Sequence, residues 1–483
     1  MSVRVVEAEA RVLSVRLRMP FRYGIACVTD LPHVWVRVRA VAGGGSCVGY
    51  SAENLAPKWF TKNPDTSYAE DAREMAAVVS SALRLAVEVG EQPDAFTWWR
   101  EVASAQAAWA SARGLPPLLW NLGVSLVERA MLDAVCRAIG RPFADALRFG
   151  ALGFDPTALH ADLAGQRAAD LLPSTPLSRV RCRHTVGLGD PLAADDPLLE
   201  PAPRDGLPVT LTECVERYGI DRLKVKLSGD PSADVERVAR IAEVLGERAL
   251  DAMALTLDGN ENYASVDGLE RFWRLLIEDR RAAAVRPRIL WIEQPLHRDA
   301  ALTEETGRAL RAWSDRPPII VDESDGAVGD LSRAVQRGYA GTSHKGCKGI
   351  FKGAANACWV AARNRSGDEP TFILSGEDLT TVGPIGLPQD LCAMAALGIE
   401  HVERNGHHYV DGLGFLPHAV ADCAAAAYAR LYEPRAGGSP PRLRVREGWM
   451  DVGDVLEAPF GVRVEPPWDI GVPLPDWQPE EGA

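Results

Sequence analysis

The feature that most constrains this 483-residue chain is a series of eight short apolar segments after residue 180, separated by stretches long enough for a helix. They read RCRHTVGLG, DRLKVKLSG, ALTLDGN, RILWIEQPL, PIIVDESDG, GTSHKGCKG, TFILSGEDL and HVERNGHH. Strands joined through helices run parallel, because tight turns connect only antiparallel neighbours. Eight such units therefore predict a parallel (β/α) barrel. Within DRLKVKLSG, Lys224 and Lys226 are two residues apart, so on a strand they share one face while Leu223, Val225 and Leu227 take the other.

The ends of these segments carry, in order, Lys224 with Lys226, Asp258, Glu293, Asp322 with Glu323, Lys345, and Glu377 with Asp378, at intervals of 23 to 35 residues. In a parallel barrel the C-terminal strand ends converge on one mouth, where the active sites of this fold lie. Three carboxylates from three successive strands form an all-oxygen donor set suited to a hard cation such as Mg²⁺. Without a cation, negative charge crowded into a mouth raises carboxyl pKa values. Lysines on the strands before and after the trio are placed to remove or return a proton on either face of a carbon. Burial and neighbouring positive charge are expected to lower such a lysine toward the free amine that a base requires. The cation would stabilise the charge growing on a substrate carboxylate as the adjacent C–H bond breaks.

Residues 3–17 and 33–41 alternate or run β-branched and predict antiparallel strands, while 68–90 and 96–147 carry helical spacing. This divides the chain into an α+β unit over 1–155, a barrel over 156–420 and a C-terminal segment over 421–483 that packs back on the first unit. The Pro- and Asp-rich stretch 186–210 reads as an inserted loop. Lys plus Arg total 53 against 66 Asp plus Glu, a net charge of −13, so neither nucleic acid nor an anionic membrane is an expected partner. Nine cysteines without a CxxC or CxxxC pair read as reduced core thiols rather than a cysteine zinc site. With no signal-peptide layout and no long apolar run, the expected compartment is the cytoplasm.

With these motifs in place, the chain resembles the enolase superfamily, and within it the muconate lactonising enzyme-like subgroup of the mandelate racemase/muconate lactonising enzyme family. The residues that carry the resemblance are KVK (224–226), LDGNENY (257–263), WIEQPL (291–296), VDES (321–324) and SHKGCKG (343–349). VERAMLDAVCRAIGRP (127–142) resembles the helix leading into the barrel, and EGWMDVGDVLEAPFGVRVEP (447–466) the closing tail. The resemblance implies a modified (β/α)8 TIM barrel under an N-terminal α+β capping domain, and homo-oligomers. It implies Mg²⁺, with Mn²⁺ as a substitute, held by Asp258, Glu293 and Asp322, with Glu323 as the other candidate for the third place. Lys226 and Lys345 take base or acid roles, and Lys224 contacts the carboxylate of a small substrate. Cap loops near 19–30 and 49–60 shape specificity.

Two departures bear on substrate. The seventh strand ends in LSGEDL, without the histidine of mandelate racemase-like members, and the eighth reads HVERNGHH, without the Asp-x-Asp of dipeptide epimerases. Glu377, Asp378, Glu403 and His407 remain as mouth residues, and Glu377 and Asp378 are expected to bind substrate. His344 is expected to point away from the mouth, and Lys348 and Lys352 to lie on the following helix, solvated or bound to a carboxylate. The expected activity is abstraction of the proton alpha to a carboxylate to form an enediolate. Racemisation or epimerisation, or β-elimination or cycloisomerisation, would follow. The alternative is a catalytically silent enolase-like barrel serving as a metal-dependent binding protein.

Overall fold

The computed structural model describes residues 1–199, 202–367 and 371–479. Glu200 and Pro201 of the inserted loop, and residues 480–483 of the tail, lie outside the described residues. Alternating valines make the first strand two-faced: Val3, Val5, Val12 and Val15 are buried, and the residues between them are mostly exposed or half-buried. β1 (Val3–Tyr23) pairs antiparallel with β2 (Ala26–Ala42), which pairs with β3 (Gly45–Asn54). The stretch 19–30 is mostly strand and forms the β1–β2 hairpin end, while 49–60 opens with the second half of β3 and runs on as a loop over 55–60.

Three helices cover this sheet: α1 (Tyr68–Glu88), α2 (Ala95–Ser111) and α3 (Pro117–Ile139). A capping box between Ser67 and Glu70 starts α1. Pro117 opens α3 and Gly140, in the left-handed conformation, ends it. α3 is buried on nearly all sides because it lies between sheet and barrel. Gly123 lets α3 approach α1 closely, since a Cβ there would collide with the Val78 carbonyl of α1.

All eight predicted barrel segments form strands: β4 (Arg179–Val186), β5 (Arg222–Lys226), β6 (Ala254–Asp258), β7 (Ile289–Glu293), β8 (Ile319–Ile320), β9 (Gly341–His344), β10 (Ile373–Gly376) and β11 (His401–Arg404). They pair parallel in the order β8-β7-β6-β5-β4-β11-β10-β9. A parallel bridge between Val321 and Thr342 closes the ring. The register sets Lys226 beside Asp258 and Asp258 beside Glu293, so the polar strand ends lie in one layer.

The remaining strands are β12 (Tyr432–Glu433), β13 (Arg442–Leu443), β14 (Trp449–Asp451) and β15 (Val472–Pro473). β14 pairs antiparallel with barrel strand β4, while β15 pairs with β1 of the α+β unit. Buried α3 residues bind cap to barrel as well. Glu128 accepts the Ile350 and Phe351 amides at 3.0 and 2.8 Å, at the start of the barrel helix Ile350–Ser366. No helix among the described residues is long and apolar enough to cross a membrane.

Candidate active site

Strand alternation decides which side chains enter the lumen. Arg183 and Thr185 of β4, Lys224 and Lys226 of β5, and the terminal carboxylates of β6, β7 and β11 all point inward, as their mutual contacts record. Lys224 sits deepest. Its Nζ lies 3.0 Å from Asp258 Oδ2, 3.0 Å from Glu293 Oε1, 2.7 Å from Glu377 Oε2 and 3.1 Å from Glu403 Oε2, with the side chain fully buried. Burial opposes a charge there, but the four carboxylates outweigh it and hold the ammonium well above its ordinary pKa.

Nearer the opening, Lys226 Nζ lies 2.6 Å from Asp258 Oδ2. Across the mouth, Lys345 Nζ lies 2.8 Å from Asp322 Oδ2 and 4.2 Å from the centroid of the Trp59 ring, which β3's trailing segment brings over from the cap. Burial disfavours the Lys345 ammonium, yet Asp322 raises its pKa. The expected lowering of lysine pKa values is therefore reversed for Lys224 and Lys345, because in this arrangement carboxylates rather than cations surround them.

The acids divide. Burial raises Glu293 well above the carboxylate range, and Asp258 and Glu377 add to that. Burial works the same way on Asp322, but Lys345 and Lys348 overcome it and hold its carboxyl well below that range. Glu323 is pushed to about 7 by burial and by Asp322. Lys348, expected on the following helix, is buried in the site with its Nζ 2.7 Å from Asp322 Oδ1 and 2.6 Å from the Asp322 carbonyl. Lys352 is also buried, 2.7 Å from Asp325 Oδ1. Both are bound to carboxylates and neither is solvated.

Above this layer lies a small cavity of about 30 Å³. Lys226, Lys345, Asn260 and Glu403 contribute polar groups to it, and Phe21, Tyr23, Leu31 and Trp59 an apolar roof. Asp378 lines it as well. Glu377 and Lys224 lie beneath, as wall groups rather than cavity-facing ones: Glu377 is fully buried against Arg183, Ser375 and Lys224. His407 lies outside the mouth, its Nε2 3.0 Å from His184 Nδ1 on the outer face of β4. His344 also faces outward, filling the space a side chain at Gly353 would need. Phe21, Tyr23 and Trp59 come from the two cap stretches, 19–30 and 49–60, that were expected to shape specificity, although nothing local marks these three residues within them.

The donor class matches a hard divalent cation: Asp258, Glu293, Asp322 and Glu323 offer only oxygen, and Glu293 Oε2 and Glu323 Oε2 are buried without a hydrogen-bond partner. The spacing is wider. Lys224 bridges Asp258 and Glu293, Lys345 and Lys348 engage Asp322, and no three carboxylates among the described residues gather their oxygens within 4.8 Å.

Residues 209–345 match the family model described as enolase C-terminal domain-like. No curated protein sequence matches the chain. Among solved structures, it is similar to a muconate lactonizing enzyme from Mycobacterium smegmatis complexed with muconolactone (TM-score 0.58, 18% identity, 93% of this chain and 96% of that one). It is also similar to an N-succinyl Arg/Lys racemase from Bacillus cereus (0.57, 14%, 94% and 97%). A third is a dipeptide epimerase from Enterococcus faecalis complexed with Mg and L-Leu-L-Tyr (0.56, 16%, 84% and 92%). Residues 209–345 thus form an enolase C-terminal domain-like barrel segment, and the whole chain has the fold of the mandelate racemase/muconate lactonizing structures.

Proposed function

We propose that the protein is an enzyme that abstracts the proton alpha to the carboxylate of a small acid to form an enediolate, and then reprotonates it or expels a leaving group. The observation that carries this reading is one cavity that receives both Lys226 and Lys345 from opposite arcs of the barrel, directly above a layer of carboxylates. A carbon held between them meets a proton donor or acceptor on each face. Asp378 and Glu403 add hydrogen-bond acceptors, and the apolar roof favours a substrate with a hydrocarbon portion. Asp258, Glu293 and Asp322 would hold Mg²⁺, or Mn²⁺ in its place, with Glu323 as the alternative third ligand. The cation would supply positive charge against the developing enediolate.

One observation favours a catalytically silent barrel instead: the carboxylates already have protein cations as partners, Lys224 above all. Exchange in D₂O separates the two. The purified protein is incubated with Mg²⁺ and pools of N-acyl amino acids, dipeptides, hydroxy and sugar acids, and unsaturated diacids, and mass shifts are read. Deuterium gain alone identifies a racemase or epimerase. Loss of water or isomerisation identifies a lyase or cycloisomerase, and no exchange in any pool supports the silent barrel. In an active protein, Lys345→Ala should slow exchange on one face by at least about 10²-fold. Unchanged exchange would remove Lys345 from the reaction.

A further inference from the structure

Outside the barrel wall, a second polar cluster stands apart from the mouth chemistry. The residues of β4 that alternate with Arg183 and Thr185 point away from the lumen, and there Cys182 and His184 meet Cys214 of the helix Leu211–Tyr218 and the consecutive His407 and His408 that follow β11. His184, Cys214 and His408 place one ligand atom each within 4.8 Å of one another, and they are the only such group among the described residues. Cys214 Sγ lies 3.6 Å from His408 Nδ1, and the His184 and His408 rings cross edge to face with centroids 4.9 Å apart. His407 Nε2 stands beside them, 3.0 Å from His184 Nδ1 and 4.0 Å from Cys182 Sγ.

We infer that His184, Cys214 and His408 form a buried three-ligand binding site for a borderline-soft divalent cation of the Zn²⁺ class, with His407 standing beside His184. Two imidazoles and a thiolate are the donor set that zinc prefers, whereas the all-oxygen mouth suits a harder ion. With Nδ1 of His408 turned to Cys214, its Nε2 stands on the side of Asp190, 4.0 Å from Oδ2 and beyond hydrogen-bond reach, and that carboxylate is itself fixed by the Tyr409 hydroxyl and the Gly187 amide, each at 2.6 Å. His408 Nε2 and His407 Nδ1 are buried with no hydrogen-bond partner, which is costly for a purely structural core. Thiolate and Asp190 together balance a doubly charged ion. A bound cation would tie β4, the helix after the inserted loop and the segment after β11 into one brace behind the barrel wall.

The full-length protein is produced in medium supplemented with Zn²⁺ or Co²⁺, dialysed against metal-free buffer, and assayed for metal per chain and for thiolate-to-cobalt charge-transfer absorption in the near-ultraviolet. One Zn²⁺ per chain is expected in the wild type and in Asp258→Asn/Glu293→Gln, with occupancy at least tenfold lower in Cys214→Ser and His408→Gln. The cobalt band should be present in the wild type and absent from Cys214→Ser. A wild type without retained zinc and without the cobalt band overturns the site. So does zinc content unchanged by Cys214→Ser and His408→Gln, or zinc lost only with the mouth variant. If the Cys214 or His408 variants fail to fold, the wild-type cobalt spectrum decides.

Discussion

At the scale of the residue, Lys224 shows how burial converts an apparent ligand contact into a structural charge. Its ammonium is the shared counter-charge of four buried carboxylates, so removing it strands acids rather than freeing a surface. Lys224→Met is predicted to lower unfolding free energy by about 3–5 kcal/mol in urea melts; a loss below about 1 kcal/mol would mean that the four acids find other partners. His33 gives a pH prediction. Its ring is fully buried on β2, with Nδ1 2.7 Å from Asn54 Oδ1, and burial lowers its pKa from 6.5 to about 4. In the unfolded chain this imidazole takes up a proton below about pH 6.5 while the folded one does not, so stability is intact above pH 6.5 and falls as pH drops toward 4. Between those limits His33→Gln should flatten the slope of unfolding free energy by up to about 1.4 kcal/mol per pH unit. Parallel wild-type and variant slopes would contradict the assignment.

At the scale of the element, the helical layer of the cap depends on contact too close for any side chain. α1 and α3 pack through Gly123, where even one methyl group meets the Val78 backbone. Gly123→Ala is predicted to destabilise the protein by about 1–3 kcal/mol through overpacking, despite the better helix propensity of alanine. A more stable variant in thermal melts would show that the two helices separate freely. The barrel strands follow a different rule. They are short and buried on both sides, with apolar side chains such as Leu223 and Val225 on the outer face, and the chemistry gathers toward the C-terminal end, where the next loop can vary without disturbing the wall.

At the scale of the molecule, cap and barrel share buried polar ties that neither supplies alone. Besides Glu128 on the barrel helix, Asn54 donates to the Leu379 and Thr380 carbonyls at 3.1 and 2.9 Å, and Trp59 Nε1 donates to Glu323 at 3.1 Å. The tail adds β14 to the barrel and β15 to the cap sheet. Unfolding followed by far-ultraviolet circular dichroism and by tryptophan fluorescence should therefore give one coincident transition. Two separated transitions would show that cap and barrel are energetically independent.

The sequence by itself determined the eight parallel strands, because short strand-like segments recur at helix-length spacing and each depends on a few neighbouring residues. It also determined which ionisable groups stand at their ends, since alternation along a strand assigns each side chain to a face. It did not determine which groups would pair. That Lys348 would join Asp322, that Glu377 would sink below the cavity against Arg183, and that His407 would leave the mouth for the outer wall follow from how loops and helices pack after the barrel closes. The cap stretches 19–30 and 49–60 were expected at the mouth, but not their partners: Trp59 meets Glu323 across 264 residues. The His184–Cys214–His408 cluster is the sharpest case: Cys214 and His408 are 194 residues apart, so no local spacing signals them, and only the meeting of β4 with two later elements brings their donor atoms together.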